Sequence, residues 1–347
     1  MIKKVLGPPG TGKTMTLLNE VNNYLMKGVP LNKIGYFAFT RKAAAEARER
    51  FLNKHKDYVR TDVKFFQTLH SLAFHTLGMS EENVMQPIHY EQIGKELSIR
   101  VNYYSESDES GYLNCDNEYF KLINKARIKN ISIEDEFNTN EWSREIDFEV
   151  LNHVYENFLN YKKAYNLYDY TDMITQFVSN KDKCPQFDVV FIDEAQDLSP
   201  IQWKMFDILN DKSKDIFIAG DDDQAIFAWA GADVNRFIDQ PAIEEVLQQS
   251  ERIPQAVQEV SNIILDRIQG NRKEKYISKK DKEGNVIKGK VESIFNFDNL
   301  DINNDKWLIL TRTVYRALEI SNQLKQIIFT IRTCMEKVLI INFINLY

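Results

Sequence analysis

Gly7-Pro8-Pro9-Gly10-Thr11-Gly12-Lys13-Thr14 is the stretch on which the fold turns. It follows residues 2–6 (IKKVL), which read as a short strand. It precedes Met15–Lys27, whose apolar residues recur at helical spacing until Gly28 ends the pattern. A glycine-rich turn placed between strand and helix lets backbone N–H groups point inward and approach phosphate oxygens closely. The first turn of the helix adds its positive dipole end. In such a cradle, Gly7–Thr14 with Met15, Lys13 supplies a point charge to the β- and γ-phosphates and Thr14 a hydroxyl ligand for Mg2+. A glycine-rich turn with no ligand is the plainer reading, and the strand–loop–helix placement argues against it.

Working outward, Ile34–Thr40 (IGYFAFT) has strand length, Ala43–Leu52 is rich in strong helix formers, Val63–Phe66 reads as a strand and a helix follows from Ser71. After a different middle region, Val189–Ile192 (VVFI) and Ile216–Ala219 (IFIA) are apolar strand cores bounded by charge. This alternation predicts an α/β fold, a parallel sheet with helices on both faces. Residues 81–164 are polar and mostly helical in pattern, around Glu118–Lys129 and Phe148–Tyr165, with a loop-like acidic stretch at Ser105–Ser110. They read as an inserted subdomain. A third region begins near Glu245. It holds a helix at Pro254–Gln269, a polar segment at Gly270–Lys290, strands at Val291–Phe295 and Trp307–Leu310, and a helix at Val314–Lys325.

The formal net charge of −7 over 347 residues argues against passive coating of nucleic acid, though a locally basic or aromatic groove needs no overall positive charge. Cys115, Cys184 and Cys334 lack paired spacing and the histidines lack metal-ligand spacing, so no zinc site is expected. The N-terminus runs straight into a strand, unlike a signal peptide. The apolar tail Ile327–Tyr347 carries Arg332, Glu336 and Lys337 in its middle, which argues against a membrane span. A soluble cytoplasmic protein is the expectation, in a bacterium or a phage-infected host.

Two further stretches carry chemistry. In Val189-Val-Phe-Ile-Asp193-Glu194-Ala-Gln-Asp197, a strand ends in adjacent carboxylates. Asp193 is suited to hold Mg2+ and Glu194 to polarise the attacking water as a general base. In Gly220-Asp221-Asp222-Asp223-Gln224-Ala-Ile-Phe227-Ala-Trp229-Ala-Gly231-Ala232, Gln224 follows a strand where a γ-phosphate sensor belongs. Phe227 and Trp229 alternate there with alanines. Flat rings in such a loop stack on bases at about 1–3 kcal/mol each, although aromatics at a strand edge are more often core.

The ordered set GPPGTGKT, FAFTRKAA (Phe37–Ala44), TLHSLA (Thr68–Ala73), DEAQD and GDDDQAIFAWAGA resembles UvrD/Rep/PcrA-type superfamily 1 DNA helicases, most of all the compact phage-encoded members, over roughly residues 1–320. AAA+ ATPases share GPPGTGKT but not the last block. The resemblance implies a RecA-like ATPase domain from residues 1–80 and 165–245, a helical insertion at 81–164, and a partial second RecA-like domain from 246 to 347. It implies ATP and Mg2+ as cofactors, single-stranded DNA as partner and 3′→5′ movement. Phe39 and Thr40 match a segment that contacts single-stranded DNA. His70 lies in the block linking the DNA and nucleotide sites, and Tyr170, in Asp169-Tyr-Thr-Asp172, matches a segment that stacks on DNA. Arg252, in Glu251-Arg252-Ile253-Pro254, matches the arginine that reaches across the cleft to the γ-phosphate.

The departures are equally specific. No counterpart of the upstream glutamine motif that reads adenine precedes Gly7, and the family's W-R-G-A reads Trp229-Ala230-Gly231-Ala232. Neither late block, T-x-H-x-x-K-G-L-E or V-x-x-T-R-A, is found. A truncated or frame-shifted product, or half of a split enzyme, is the expectation that follows. The alternative to a helicase is a nucleotide-switched single-strand binding module that hydrolyses ATP without unwinding; an RNA-directed motor is a third reading.

Overall fold

The computed structural model describes residues 1–102, 113, 115–139, 146–267, 276–293, 309, 311 and 315–323. Residues 1–288 form one compact unit and 289–347 another. The second is described mainly as a helical segment at 315–323. The acidic stretch 105–110, the strand expected at Trp307–Leu310 (apart from residue 309) and the tail from 324 lie outside the described residues, as does the C-terminal half of the strand expected at Val291–Phe295.

The first unit is built on six parallel strands: β1 (Ile2–Leu6), β2 (Ile34–Ala38), β3 (Phe66–Thr68), β4 (Val189–Asp193), β5 (Asp215–Gly220) and β6 (Ile243–Val246), in spatial order β3-β2-β4-β5-β1-β6. Side chains alternate across each strand, so a strand buried on both faces reads as a continuous apolar run. Ile34, Tyr36, Val189, Phe191 and Phe217 therefore face one core, closed by Leu17, Leu18 and Val21 of α1 (Lys13–Met26) and Ala47 and Phe51 of α2 (Arg41–Lys54). Phe37, Val190, Ile192, Ile216 and Ile218 face the other. That core is closed by α3 (Leu69–Leu77) and by later helices described below.

β3 begins at Phe66 rather than Val63, because residues 60–65 form turns in which the Phe66 amide bonds the Val63 carbonyl at 3.0 Å. β6 has no apolar pattern: all four residues of IEEV are exposed. Register there comes from β1, where the buried Lys4 Nζ reaches Ile238 O at 3.0 Å and Glu244 Oε1 at 3.1 Å. The boundary expected at 245/246 falls inside this strand.

The chain leaves the sheet after α3 and forms α4 (Pro87–Glu96), α5 (Glu118–Lys129), α6 (Ile133–Phe137) and α7 (Phe148–Tyr165). Ile93, Phe120, Ile123, Leu151, Val154 and Phe158 give these helices a core of their own. The chain returns through a bridge between Val84 and Tyr168, then continues into α8 (Tyr170–Ser179), β4, α9 (Pro200–Asp211), β5, α10 (Val234–Asp239), β6 and α11 (Gln255–Leu265). α8 and α9 complete the second sheet core with Met173, Ile174, Phe177, Trp203 and Phe206. A four-membered charge cluster ties insertion to sheet: Arg127 of α5 and Lys162 of α7 meet Asp169 and Asp172 at the start of α8, at distances from 2.5 to 2.9 Å.

Candidate active site

The carboxyl ends of β1, β4 and β5 lie side by side in the sheet, and the loops that leave them hold the residues expected to meet the nucleotide. Gly12 caps α1 in a left-handed conformation (φ 88°), and Gly10 is also left-handed (φ 75°). A Cβ on Gly10 would in addition collide with the Arg252 side chain. The cap has no side chain to bond the first-turn amides, so they are available to an anion. Thr11 Oγ1 donates to Pro8 O at 2.8 Å and Lys13 Nζ donates to Gly7 O at 2.7 Å, which pins both side chains to the loop they serve.

Thr14 Oγ1 donates to Asp193 Oδ2 at 2.7 Å, so the two residues expected to hold Mg2+ already touch. Tyr36 donates to the same oxygen at 3.0 Å, a partner that no sequence motif signalled. Burial pushes the Asp193 carboxyl pKa up and the neighbouring Glu194 adds to it, a local excess of negative charge that a cation relieves. Among the described residues no group of three or more His, Cys, Asp or Glu is placed to hold a metal. A Thr–Asp pair with few protein ligands suits Mg2+, which keeps waters and takes phosphate oxygens.

Glu194 is a non-glycine residue in left-handed conformation (φ 56°), a strain of about 1–3 kcal/mol that persists where the surroundings fix it. The turn separates the two carboxylates: Asp193 faces Thr14, while Glu194 Oε2 accepts from Gln196 Nε2 at 2.9 Å. At the end of β5, Gln224 Nε2 donates to Asp221 Oδ2. Arg252 is exposed, and its segment is sewn to the phosphate loop: Ser250 Oγ donates to Pro9 O at 2.8 Å and the Glu251 amide to Gly10 O at 2.8 Å. Ser250 is fully buried, and nothing in the sequence pointed to it.

The residues expected to meet DNA separate by exposure. Phe39 is 6% exposed and its ring lies 5.2 Å from that of Phe227, so it supports Phe227 rather than offering a face of its own. Thr40 caps α2, its Oγ1 accepting from the Ala43 amide at 3.1 Å. His70 is buried edge-on to Tyr170 at 5.6 Å; burial, then the Arg41 charge, lower its pKa to about 4, so it is neutral at pH 7. Tyr170 OH accepts from Arg41 Nη2 at 3.0 Å. Phe227 and Trp229 are half-buried with centroids 6.5 Å apart.

The model of the UvrD/REP helicase N-terminal domain matches residues 3–241. The chain belongs to the UvrD/REP helicase family. Among its relatives, the ATP-dependent DNA helicase Rep of Buchnera aphidicola subsp. Baizongia pistaciae is 27% identical over 255 residues, covering 67% of this chain and 35% of that protein. DNA helicase II of Haemophilus influenzae is 25% identical over 281 residues (75% and 37%), and the ATP-dependent DNA helicase PcrA of Leuconostoc citreum is 23% identical over 292 (76% and 37%). The chain thus spans about a third of the length of these relatives. No described helix of this UvrD/REP family member is long and apolar enough to cross a membrane.

One carboxylate of the family's DEAQD block gives a pH-dependent signature. Burial, reinforced by Glu194, raises the Asp197 pKa to about 7, and its Oδ1 has no hydrogen-bond partner. The folded protein therefore holds this proton more tightly than the unfolded chain. The stability it contributes is full below about pH 4 and lost as pH rises towards 7. Asp197→Asn removes the titration. Its melting temperature, measured without nucleotide, should match the wild type at pH 4 and exceed it at pH 8; equal curves at both would show that Asp197 ionises freely.

Proposed function

We propose that this chain is an ATP hydrolase that couples turnover to movement along single-stranded DNA, with the 3′→5′ polarity that the family resemblance implies, in the cytoplasm. The observation that carries the reading is the meeting of Thr14 with Asp193 at 2.7 Å beside the Lys13 cradle, with Glu194 turned away on its own hydrogen bond. Lys13 and the first-turn amides of α1 bind the phosphates, and Thr14 and Asp193 orient the metal. Magnesium, when bound, neutralises charge on the transferring phosphoryl group. Glu194 accepts a proton from the attacking water. Gln224 and Arg252 lie in the two segments closest in sequence to sensing and charge-stabilising roles at the γ-phosphate. The loop after β5 links this chemistry to Phe227 and Trp229, whose rings, with Tyr170, serve as stacking platforms for bases, while Phe39, Thr40 and His70 support them.

ATP turnover with and without a single-stranded oligonucleotide, next to Lys13→Ala, tests the reading. Lys13→Ala should lower turnover by roughly 10²–10³-fold, the scale of losing one preorganised charge-stabilising donor. No Mg2+-dependent nucleotide binding by the wild type would end the proposal. Turnover without strand displacement favours the nucleotide-switched binding module, and stronger stimulation by RNA than by DNA favours an RNA motor.

A further inference from the structure

Gln196 belongs to the DEAQD block, yet hydrolysis as described above gives it no task. It is 2% exposed, and both ends of its amide are engaged. Nε2 donates to Glu194 Oε2 at 2.9 Å and to Asp197 Oδ2 at 3.2 Å, while Oε1 accepts from the Asp221 backbone amide at 3.1 Å. Asp221 then holds Gln224 through its own carboxylate. The side chain thus spans from the loop after β4 to the loop after β5. It fits closely there: a Cβ on Gly220 would collide with its Oε1 and with the Phe237 ring.

A planar amide wedged in this way cannot shift one end without the other. The two N–H groups of Nε2 serve two carboxyl groups at once, so when Glu194 turns to a new partner the amide stays anchored on Asp197, whose unpartnered Oδ1 can take the freed N–H. That gives the group two discrete arrangements, the requirement for carrying a signal between sites. We propose that Gln196 is a positioning residue that couples the state of the Glu194 carboxylate to the 221–229 loop, which carries Gln224, Phe227 and Trp229. When Glu194 engages the attacking water, the amide shifts towards Asp197 and its hold on Asp221 changes, so the base-stacking rings respond to the nucleotide. DNA bound on those rings acts back on Glu194 by the same route, since coupling between sites is reciprocal. This link rests on the proposed ATPase reading.

The test compares wild type with Gln196→Met, which keeps the length and removes both amide ends. Two readouts are used: the ratio of turnover with a poly-dT oligonucleotide to turnover without it, and the change in hydrogen-exchange protection of residues 221–229 on binding a non-hydrolysable ATP analogue with Mg2+. The variant should still bind the analogue, because Lys13, Thr14 and Asp193 are untouched. Its stimulation ratio should fall roughly 10-fold, the lower end expected for losing a hydrogen bond to a charged group, and the protection change in 221–229 should vanish. A variant that melts earlier but keeps the wild-type ratio and protection change overturns the link. If Gln196→Met does not fold, Gln196→Leu, which also removes both amide ends from a smaller apolar side chain, is read by the same two criteria. A wild type that binds and turns over ATP with no protection change in 221–229 overturns the link alone; a wild type that binds no analogue overturns the ATPase reading and the link together.

Discussion

Glu194→Gln is expected to bind Mg2+ and ATP nearly as the wild type does while losing turnover by about 10²–10⁴-fold, the usual worth of a general base. The change is one of proton affinity with little change of shape. Glutamine retains an oxygen that can accept from Gln196 Nε2, now at 2.9 Å from Glu194 Oε2. The cradle residues Lys13 and Thr14 keep their partners Gly7 and Asp193. Removing the Glu194 charge also relieves Asp193 and Asp197, both of which it pushes towards protonation. Metal affinity should therefore be kept. Parallel measurement of analogue binding and steady-state hydrolysis separates the outcomes: equal loss of both would place Glu194 in binding, and unchanged hydrolysis would remove it from the reaction.

The second large effect is on stability. Asp169→Ala should destabilise the fold by roughly 3–5 kcal/mol, because breaking a buried ion pair leaves uncompensated charge behind. Arg127 and Lys162, both almost buried, would be left with Asp172 alone. The same carboxylate caps α8, accepting from the Asp172 amide at 2.8 Å, and that bond is lost too. The melting temperature should fall by on the order of 10 °C. Burial alone would raise the Asp169 pKa, but Arg127 and Lys162 overcome it and hold the group well below the usual carboxylate range, whereas burial and the Asp169 charge push Asp172 up. A depressed carboxylate contributes stability above its unfolded pKa, so the Asp169 contribution is complete above about pH 4 and is lost only in more acidic solution. A melting temperature within 2 °C or so of wild type at pH 7 would mean that the cluster is solvated rather than structural.

Much of the scaffold was legible because the central strands β2, β4 and β5 are buried on both faces and announce themselves as apolar runs. IKKVL, VVFI and IFIA lie within β1, β4 and β5, and the helices expected at Glu118–Lys129 and Phe148–Tyr165 have those limits. β6 was not legible, since IEEV is exposed throughout and is held by Lys4 and by the Leu247 amide bonding Leu6 O at 2.7 Å, neither of which leaves a local pattern. Within the site, the placement of residues fixed by spacing along one loop was readable: Lys13 folds back on its own glycine loop and Thr14 meets Asp193. Those that depend on distant segments were not. Tyr36, Ser250 and the bridging amide of Gln196 act across strands, and periodicity within a segment carries no record of its neighbours. Phe39 shows the converse limit, because a motif match gave its place but not that Phe227 would cover it.

The order of the strands also bears on how the molecule comes into being. Ile2 pairs with Ile216 and Lys3 with Ile243, so the strand that leads into the phosphate cradle finds its neighbours only after the whole insertion has been made. At ribosomal speeds of roughly 5–20 residues per second, it waits unpaired on the order of tens of seconds. The helices of the insertion, with their own core, are free to settle in the meantime. Nascent chains released before β5 emerges should carry a folded insertion and an open, aggregation-prone sheet.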